Sequence, residues 1–241
     1  MILFKFKAFS LAETLIALGI IGIVSALIIP NLIAKHQHKA LETAFKKTYT
    51  NLNNAVNEVI AEDSGIYKTS NFSDRTFYNE VFAKYTVIKT IPQWEYLSNI
   101  KVSNYNKKSI KGAIPTQSQI VINIVLSDGS AIGGRINSRG YYFTVDTNGP
   151  QKGPNAFGHD IFIFIIKDYS NPKLEGVSEE MVLKTDENGN QVTDQSDYFY
   201  AEKDECSKHS TKFSNGYGCT PFAIKNICPD DSSKTYWECL P

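Results

Sequence analysis

One carboxylate, that of Glu13, lies at the start of an otherwise apolar stretch, where an acidic side chain requires a physical explanation. The 21 residues from Thr14 to Ala34 carry no charge. An ionised side chain in hydrocarbon costs about 2.5 to 3.5 kcal/mol on insertion scales. Two interpretations follow: the carboxylate pairs with a cation inside a membrane, or it snorkels to water at the end of a membrane helix.

The cysteines indicate disulfide chemistry near the C-terminus. All four lie within the last 36 residues, and an even set behind an export-type N-terminus favours two disulfides formed in an oxidising compartment. The spacing suggests Cys206 with Cys219 and Cys228 with Cys239, although four cysteines allow three pairings. A zinc site built on the Cys206-x-x-His209 pair is the alternative, but the sequence offers no second pair of this kind.

Two stretches are rich in side-chain oxygens, which either close turns or bind calcium. In "VDTNGPQKGPNAFGHDIF" the calcium ligands would be Asp146, Asn148 and Asp160, but Asp146 and Asn148 can also close Asx turns beside glycine and proline. In "DENGNQVTDQSD" at 186–197, Gln191 stands where a calcium loop needs glycine. We expect turn chemistry in the first loop, a hairpin or an exposed acidic turn in the second and no cofactor, with calcium at the first loop as the alternative.

Composition and motifs disfavour a nucleic-acid binder and an enzyme. The chain has 25 basic and 25 acidic side chains, so it carries no net charge that would attract nucleic acid. It contains no G-x-S-x-G, no H-E-x-x-H and no phosphate-binding glycine loop. His159 and Asp160 are adjacent in a loop, where such a pair is more often ordinary polarity than a catalytic dyad. We therefore expect a protein that is not an enzyme and has no nucleic-acid partner.

The elements that position these residues begin with one long helix. The uncharged stretch would extend about 31 Å as a helix, enough to cross a bilayer. The following residues form one apolar stripe that ends at 63–65, because apolar side chains recur every three or four positions. The stripe consists of Leu41, Phe45, Thr48, Leu52, Val56 and Val59. Pro30 should kink this helix, because its ring clashes with the preceding turn.

The rest of the chain predicts a short helix near 74–85 and then an antiparallel sheet. From Ile120 onward the apolar period becomes two, and the runs "IVINIVL", "SAIGGRI", "YYFTVD" and "DIFIFII" are typical of strands separated by turns. The apolar face of this sheet needs cover, which the stripe of the long helix can supply. The fold class is therefore α+β, with 66–241 as the globular domain.

The stretch "KFKAFSLAE" resembles the N-terminus of a type IV prepilin or type II secretion pseudopilin. In that family a basic leader ends in a small residue, an aromatic residue follows, and Glu is the fifth residue of the mature chain. Here residues 1–8 would be the leader, with Ala8 where the family usually has glycine, and Phe9 would be the new N-terminus. Glu13 is then the fifth mature residue, and Pro30 matches the family's helix-breaking proline. The resemblance covers about 35 residues; the loop at 146–160 also resembles the sheet loop of prepilin-type proteins.

This resemblance implies a structural subunit of a type IV pilus or a type II secretion-like filament. A prepilin peptidase would cut after Ala8, the Phe9 amine would be methylated, and that amine would neutralise Glu13 of a neighbouring subunit. Residues 9–34 would be the transmembrane and assembly half of a kinked helix and 35–65 its amphipathic half, packed on a pilin-like domain with a disulfide-braced C-terminal region.

The implied partners are other pilin or pseudopilin subunits, the prepilin peptidase, an inner-membrane assembly platform and the lipid bilayer. Before assembly the chain would cross the inner membrane once, and afterwards it would belong to a periplasmic or cell-surface filament. The alternative is an extracytoplasmic binding or adhesion module held by a single membrane span, for which the helix would serve only as an anchor.

Overall fold

The computed structural model of the chain describes residues 10–62, 76–84, 87–90, 101–108, 124–137, 140–166, 172–177, 184–185, 191–192, 206–212 and 214–241. The chain divides into two compact units between Ala40 and Leu41. Helix α1 runs from Leu11 to Glu62 and therefore contributes residues to both units. All other described elements belong to the second unit.

The first half of helix α1 exposes apolar side chains on every side. Pro30 lies inside the helix, and the helix continues through it. By length and composition α1 can cross a membrane, which agrees with the single membrane span that the sequence predicts. A helix that is apolar all round is stable in lipid or against other apolar helices. The exposed side chains are Leu11, Leu15, Ile16, Leu18, Ile20, Ile21, Ile23, Val24, Leu27, Ile28, Ile29, Leu32 and Ile33.

The second half of helix α1 buries one stripe, as the sequence predicts. All six residues of the predicted stripe are buried, together with two neighbours, Glu42 and Ala55. At the centre of the stripe the Phe45 ring lies 4.5 Å from that of Phe162 and 5.5 Å from that of Trp237, centroid to centroid. Tyr49 stacks on Phe164 at 5.7 Å. The core of the second unit is thus an aromatic cluster that joins the helix to a strand and to the C-terminal region.

Six strands form an antiparallel sheet in which each strand pairs with its neighbour in the chain. Strands β2 to β5 confirm the four predicted runs, whereas β1 and β6 were not predicted. The salt bridge from Lys47 to Asp128, 3.2 Å long, connects helix α1 to the turn between β2 and β3. The strands are β1 (Val87–Thr90), β2 (Ile124–Leu126), β3 (Ala131–Asn137), β4 (Gly140–Asp146), β5 (Ile161–Ile166) and β6 (Glu175–Gly176).

The central strands β4 and β5 are buried at every position, so both faces of the sheet are covered there. One face packs on helix α1. On the edge of β5, the Ile163 amide donates a hydrogen bond to the Thr220 hydroxyl at 3.1 Å. Thr220 begins helix α3 (Thr220–Lys225), directly after a single 3₁₀ turn at Tyr217–Cys219. The continuous apolar run of β5 is typical of a strand buried on two faces.

Two smaller elements complete the described structure. Helix α2 (Thr76–Ala83) lies within the predicted helix, and the Lys84 ammonium after it reaches the carboxylates of Glu58 and Glu62 on α1 at 2.8 and 2.6 Å. Strands β7 (Lys184–Thr185) and β8 (Gln191–Val192) pair antiparallel. This pairing confirms the hairpin predicted there, although residues 186–190 and 193–200 lie outside the described residues.

We predict that Phe45→Ala lowers the free energy of unfolding by about 3 to 5 kcal/mol, because it leaves a cavity among fully buried rings. Chemical denaturation of the full chain in detergent, followed by Trp237 fluorescence, measures this change. Asn51→Ala on the exposed side of the same helix is the control, and we expect it to stay within about 0.5 kcal/mol of the parent. Equal effects of the two variants would contradict the core described above.

Candidate functional site

The start of helix α1 is closed by a reciprocal capping box between Ser10 and Glu13. The Ser10 amide donates to the Glu13 carboxylate oxygen Oε2 at 2.8 Å, and the Glu13 amide donates to the Ser10 hydroxyl at 3.2 Å. The Thr14 amide donates to the Ser10 carbonyl at 3.1 Å and so closes the first helical turn. Two backbone N–H groups that a helix start leaves unpaired are satisfied in this way.

The pattern S-x-x-E before an apolar run is the known signature of this contact, and it lay unrecognised in the sequence. Glu13 was interpreted only through the cost of a charge in lipid, and the structure adds a partner within its own chain. The expected cleavage residues, Ala8 and Phe9, lie outside the described residues. The predicted pairing of Glu13 with the Phe9 amine of a second subunit therefore stays a prediction.

The loop between β4 and β5 brings together the two aspartates that the sequence singled out. Asp146 ends β4, and its Oδ1 accepts hydrogen bonds from the amides of Asn148 at 3.3 Å and Gly149 at 2.8 Å. These bonds form the predicted Asx turn. Gly149 has φ of 85°, a backbone conformation that favours glycine.

Asp160, directly before β5, organises the other end of the same loop. Its Oδ1 accepts the Ala156 amide at 2.7 Å and its Oδ2 accepts the Asn155 amide at 2.8 Å. Both Asp146 and Asp160 are completely buried. Burial, with the negative charge of Asp146 nearby, raises the pKa of Asp160 to about 8 against the opposing effect of these hydrogen bonds. The folded protein therefore favours a proton on this aspartate pair more than the unfolded chain does.

The loop is anchored from two other parts of the chain. Ser103 exchanges backbone hydrogen bonds with Asn155 and Phe157, both 3.0 Å long. The ring atom Nε2 of buried His159 lies 2.8 Å from the Tyr105 carbonyl, so this side chain ties the loop to a second part of the chain. These contacts hold the end of the loop at 156–160, which is buried and whose backbone amides need partners, whereas the tip at 151–153 is exposed.

The C-terminal region reaches this loop at Gly158. The Tyr236 hydroxyl donates to the Gly158 carbonyl at 2.5 Å. Gly158 has φ of 78°, and a β-carbon there would lie 2.7 Å from a ring atom of Tyr105 and 2.8 Å from the sulfur of Cys219. Only glycine fits at this point, because both the conformation and the close approach exclude a side chain.

The four cysteines form the two disulfides that the spacing suggested, Cys206 with Cys219 and Cys228 with Cys239. The zinc alternative is therefore wrong, because no cysteine is free and His209 is exposed. The bonds close short loops, with sequence separations of 13 and 11 residues. The first lies beside Gly158 and braces the buried loop.

The two aspartates of the β4–β5 loop use most of their carboxylate oxygens on its own backbone, whereas the buried side-chain oxygens of Thr147, Asn148 and Asn155 make no hydrogen bond within the described residues. Three of the four carboxylate oxygens of Asp146 and Asp160 accept backbone amides, as turn chemistry requires. In the part of the chain that the structure describes, no group of three or more His, Cys, Asp and Glu side chains is arranged to hold a metal ion. Calcium binding by Asp146, Asn148 and Asp160 stays an alternative prediction.

Comparison of the chain with models of protein families, with curated proteins and with solved structures finds no match.

We predict that the folded protein loses stability between pH 5 and pH 8. The pKa of Asp160 is raised above its unfolded value, so its contribution is complete in acid and is lost as pH rises toward 8. The slope should approach about 1.4 kcal/mol per pH unit at most. Thermal unfolding of the full chain in detergent across this range measures it.

Asp160→Asn should flatten this slope, while Asp231→Asn should keep it, because the pKa of Asp231 is lowered far below the window by Lys234 and Ser233. We expect millimolar calcium at pH 8 to leave the parent unchanged. A calcium-dependent rise in melting temperature that Asp160→Asn removes would support the calcium alternative and contradict the interpretation as a turn alone.

We predict that replacing Cys206 and Cys219 together by alanine lowers the free energy of unfolding by about 3 kcal/mol in the chain-entropy model. The matched variant, in which Cys228 and Cys239 are replaced, should lose a similar amount. Only the first should increase hydrogen exchange at 155–160, since fully buried Cys219 lies beside Gly158. Equal exchange in the two variants would contradict the bracing role.

Proposed function

We propose that this protein is a structural subunit of a filament of the type IV pilus or type II secretion kind. In this proposal a prepilin peptidase removes residues 1–8. The chain crosses the membrane once before assembly and enters the filament through helix α1. The observation that carries the proposal is the first half of α1, which exposes apolar side chains all round and places one carboxylate, Glu13, at its start.

The continuity of helix α1 supports a subunit rather than a plain anchor. The helix continues through Pro30 and enters the core of the second unit, where it buries the stripe around Phe45. An anchor needs only an apolar span, and a flexible linker could follow it. In this chain the same helix supplies both the apolar span and part of a folded core, which a plain anchor does not need.

Glu13 supports assembly because its charge remains unneutralised within the described chain. The Ser10 amide and the Ser10 hydroxyl are neutral groups, so the capping box supplies hydrogen bonds but no positive charge. A carboxylate buried in lipid without a cation is costly, and a free amine at Phe9 of a second subunit would compensate that cost. The proposed pairing thus favours the assembled state over the isolated span.

The exterior domain suits a filament outside the cytoplasm. Two disulfides brace its C-terminal region, and they persist in oxidising compartments. The buried aromatic core, with Phe45, Phe162 and Trp237 in contact, joins the helix, the sheet and the C-terminal region of this domain.

We predict that the protein recovered from sheared filaments begins at Phe9 with a methylated amine, and that Glu13→Val reaches the membrane but not the filament. The valine removes a charge from the span, so insertion should be at least as efficient, while the Phe9 amine loses its counter-ion. Intact mass, and the amounts in membrane and filament fractions of a strain without a wild-type copy, measure both effects.

The control for folding is the disulfide map of Glu13→Val, which should match the parent, because the second unit begins at Leu41. A parent protein that retains Met1 to Ala8 and stays in the membrane fraction would contradict the proposal and favour the anchored binding module. Entry of Glu13→Val into filaments at the parent level would show that the carboxylate does not pair with the amine.

A further inference from the structure

We propose that two neighbouring turns of the second unit, residues 104–108 and 207–212, form a basic surface that binds an acidic polysaccharide. Three exposed lysines carry its charge, Lys107 and Lys108 on the first turn and Lys208 on the second, and exposed His209 follows Lys208. This activity goes beyond the proposed function, because it does not depend on how the chain is anchored or assembled.

Hydrogen bonds between the two turns hold the basic surface together. The Asn104 side-chain amide donates to the Lys212 carbonyl at 3.1 Å, and the Asn106 side-chain amide donates to the Ser210 carbonyl at 2.7 Å. The first disulfide begins at Cys206, directly before the second turn. Cationic side chains that lie about 100 residues apart in the sequence therefore stand on adjoining, braced turns.

The charge of the basic surface is not neutralised by the described residues. Its three lysines form no ion pair there. The Asp230 carboxylate contacts the second turn, but it accepts the Lys208 backbone amide at 3.0 Å and the Ser207 hydroxyl at 2.5 Å, so it orders the backbone of the turn. Its neighbour Asp231 pairs with the Lys234 ammonium at 2.8 Å. The two turns therefore present an excess of positive charge.

The backbone at Lys107 indicates that this side chain matters for its charge. Lys107 has φ of 58°, in the left-handed region that favours glycine and, next to it, asparagine. Its amide closes the first turn by donating to the Asn104 carbonyl at 2.9 Å. The turn geometry alone does not call for lysine at this position, so the ammonium group is the feature that lysine adds.

The backbone amides of the two turns are already used, which disfavours a small anion as the ligand. The side-chain oxygen of Asn104 accepts the Lys108 amide at 3.0 Å. The Ser207 hydroxyl accepts the His209 amide at 3.1 Å. A small anion binds best in a concave nest of free amides. Separated ammonium groups on two turns instead fit a polymer that carries repeated negative charges.

The other side chains of the turns decide which polymer fits. Neither turn contains arginine, and the only Phe, Tyr or Trp in them, Tyr105, is completely buried. The surface thus has no bidentate fork for phosphate and no such ring on which a base could stack. It also exposes no apolar side chain that could anchor a protein partner. Carboxylates spaced among sugar hydroxyls need only the ammonium and hydroxyl groups that are present.

The experiment measures binding of the full chain, in non-ionic detergent, to immobilised polygalacturonate at low and high salt. Neutral dextran and a short DNA duplex are the comparison probes. One test variant combines Lys107→Asn with Lys208→Gln, since asparagine tolerates the left-handed conformation. A second combines Lys108→Gln with Lys208→Gln and leaves the strained position unchanged. The matched control, Lys173→Gln with Lys225→Gln, removes the same charge from exposed positions near β6 and on α3.

We expect the parent to bind polygalacturonate but not dextran, with an affinity that falls as salt rises. Both test variants should bind about three- to tenfold more weakly, as the loss of two exposed ion pairs implies, while the control stays within about twofold of the parent. The disulfide map of each variant checks that it has folded.

Equal losses in the test and control variants would overturn the basic surface, because net charge alone would then explain the binding. Tighter binding to the DNA duplex than to polygalacturonate would overturn the choice of ligand. A parent that binds none of the probes would overturn the inference as a whole and leave the proposed function unaffected.

Discussion

The contact of Phe45 with Phe162 and Trp237 is the interaction on which the rest of the second unit depends. Phe45 comes from the long helix, Phe162 from the central strand β5, and Trp237 from the C-terminal region, so three distant parts of the chain meet at one point. A single antiparallel sheet has no core of its own until another layer covers it. The aromatic cluster supplies that layer on one face, while the region around Thr220 lies against β5 at the sheet edge.

Much of this arrangement follows from the sequence, because a long periodic pattern of apolar residues predicts the same element that forms in the folded protein. The stripe of α1 and the four strands β2 to β5 each repeat a clear period over enough residues to decide their structure. Strands β1 and β6 have only four and two residues, so their own sequence pattern is too short to predict a strand. They form because a neighbouring strand pairs with them. The Ser10–Glu13 capping box has a local sequence signature. The apolar residues around it point to the cost of the Glu13 charge and not to this contact.

The loop around Asp160 shows what a sequence pattern cannot provide. Its turn chemistry was readable, since aspartate, asparagine and glycine at these spacings close turns. The burial of its second end could not be predicted in this way, because it depends on contacts with Ser103 and Tyr236, which lie far away in the chain. A buried loop must pair its backbone amides, and Asp160 does this for two of them. The same burial raises the pKa of Asp160 to about 8 against the effect of these two hydrogen bonds, so the stability of this loop should depend on pH.

The start of α1 separates two requirements that a carboxylate has when a membrane surrounds it. Its oxygens need hydrogen-bond donors, and its charge needs an opposite charge. The capping box meets part of the first requirement with neutral donors of the same chain, and it leaves the second unmet. A carboxylate that is hydrogen-bonded but not neutralised keeps a defined position, and an approaching cation still stabilises it. In the proposed filament, this unfavourable electrostatic energy is relieved only when the amine of the next subunit lies beside the carboxylate. It therefore favours the one register between subunits that places the two groups together.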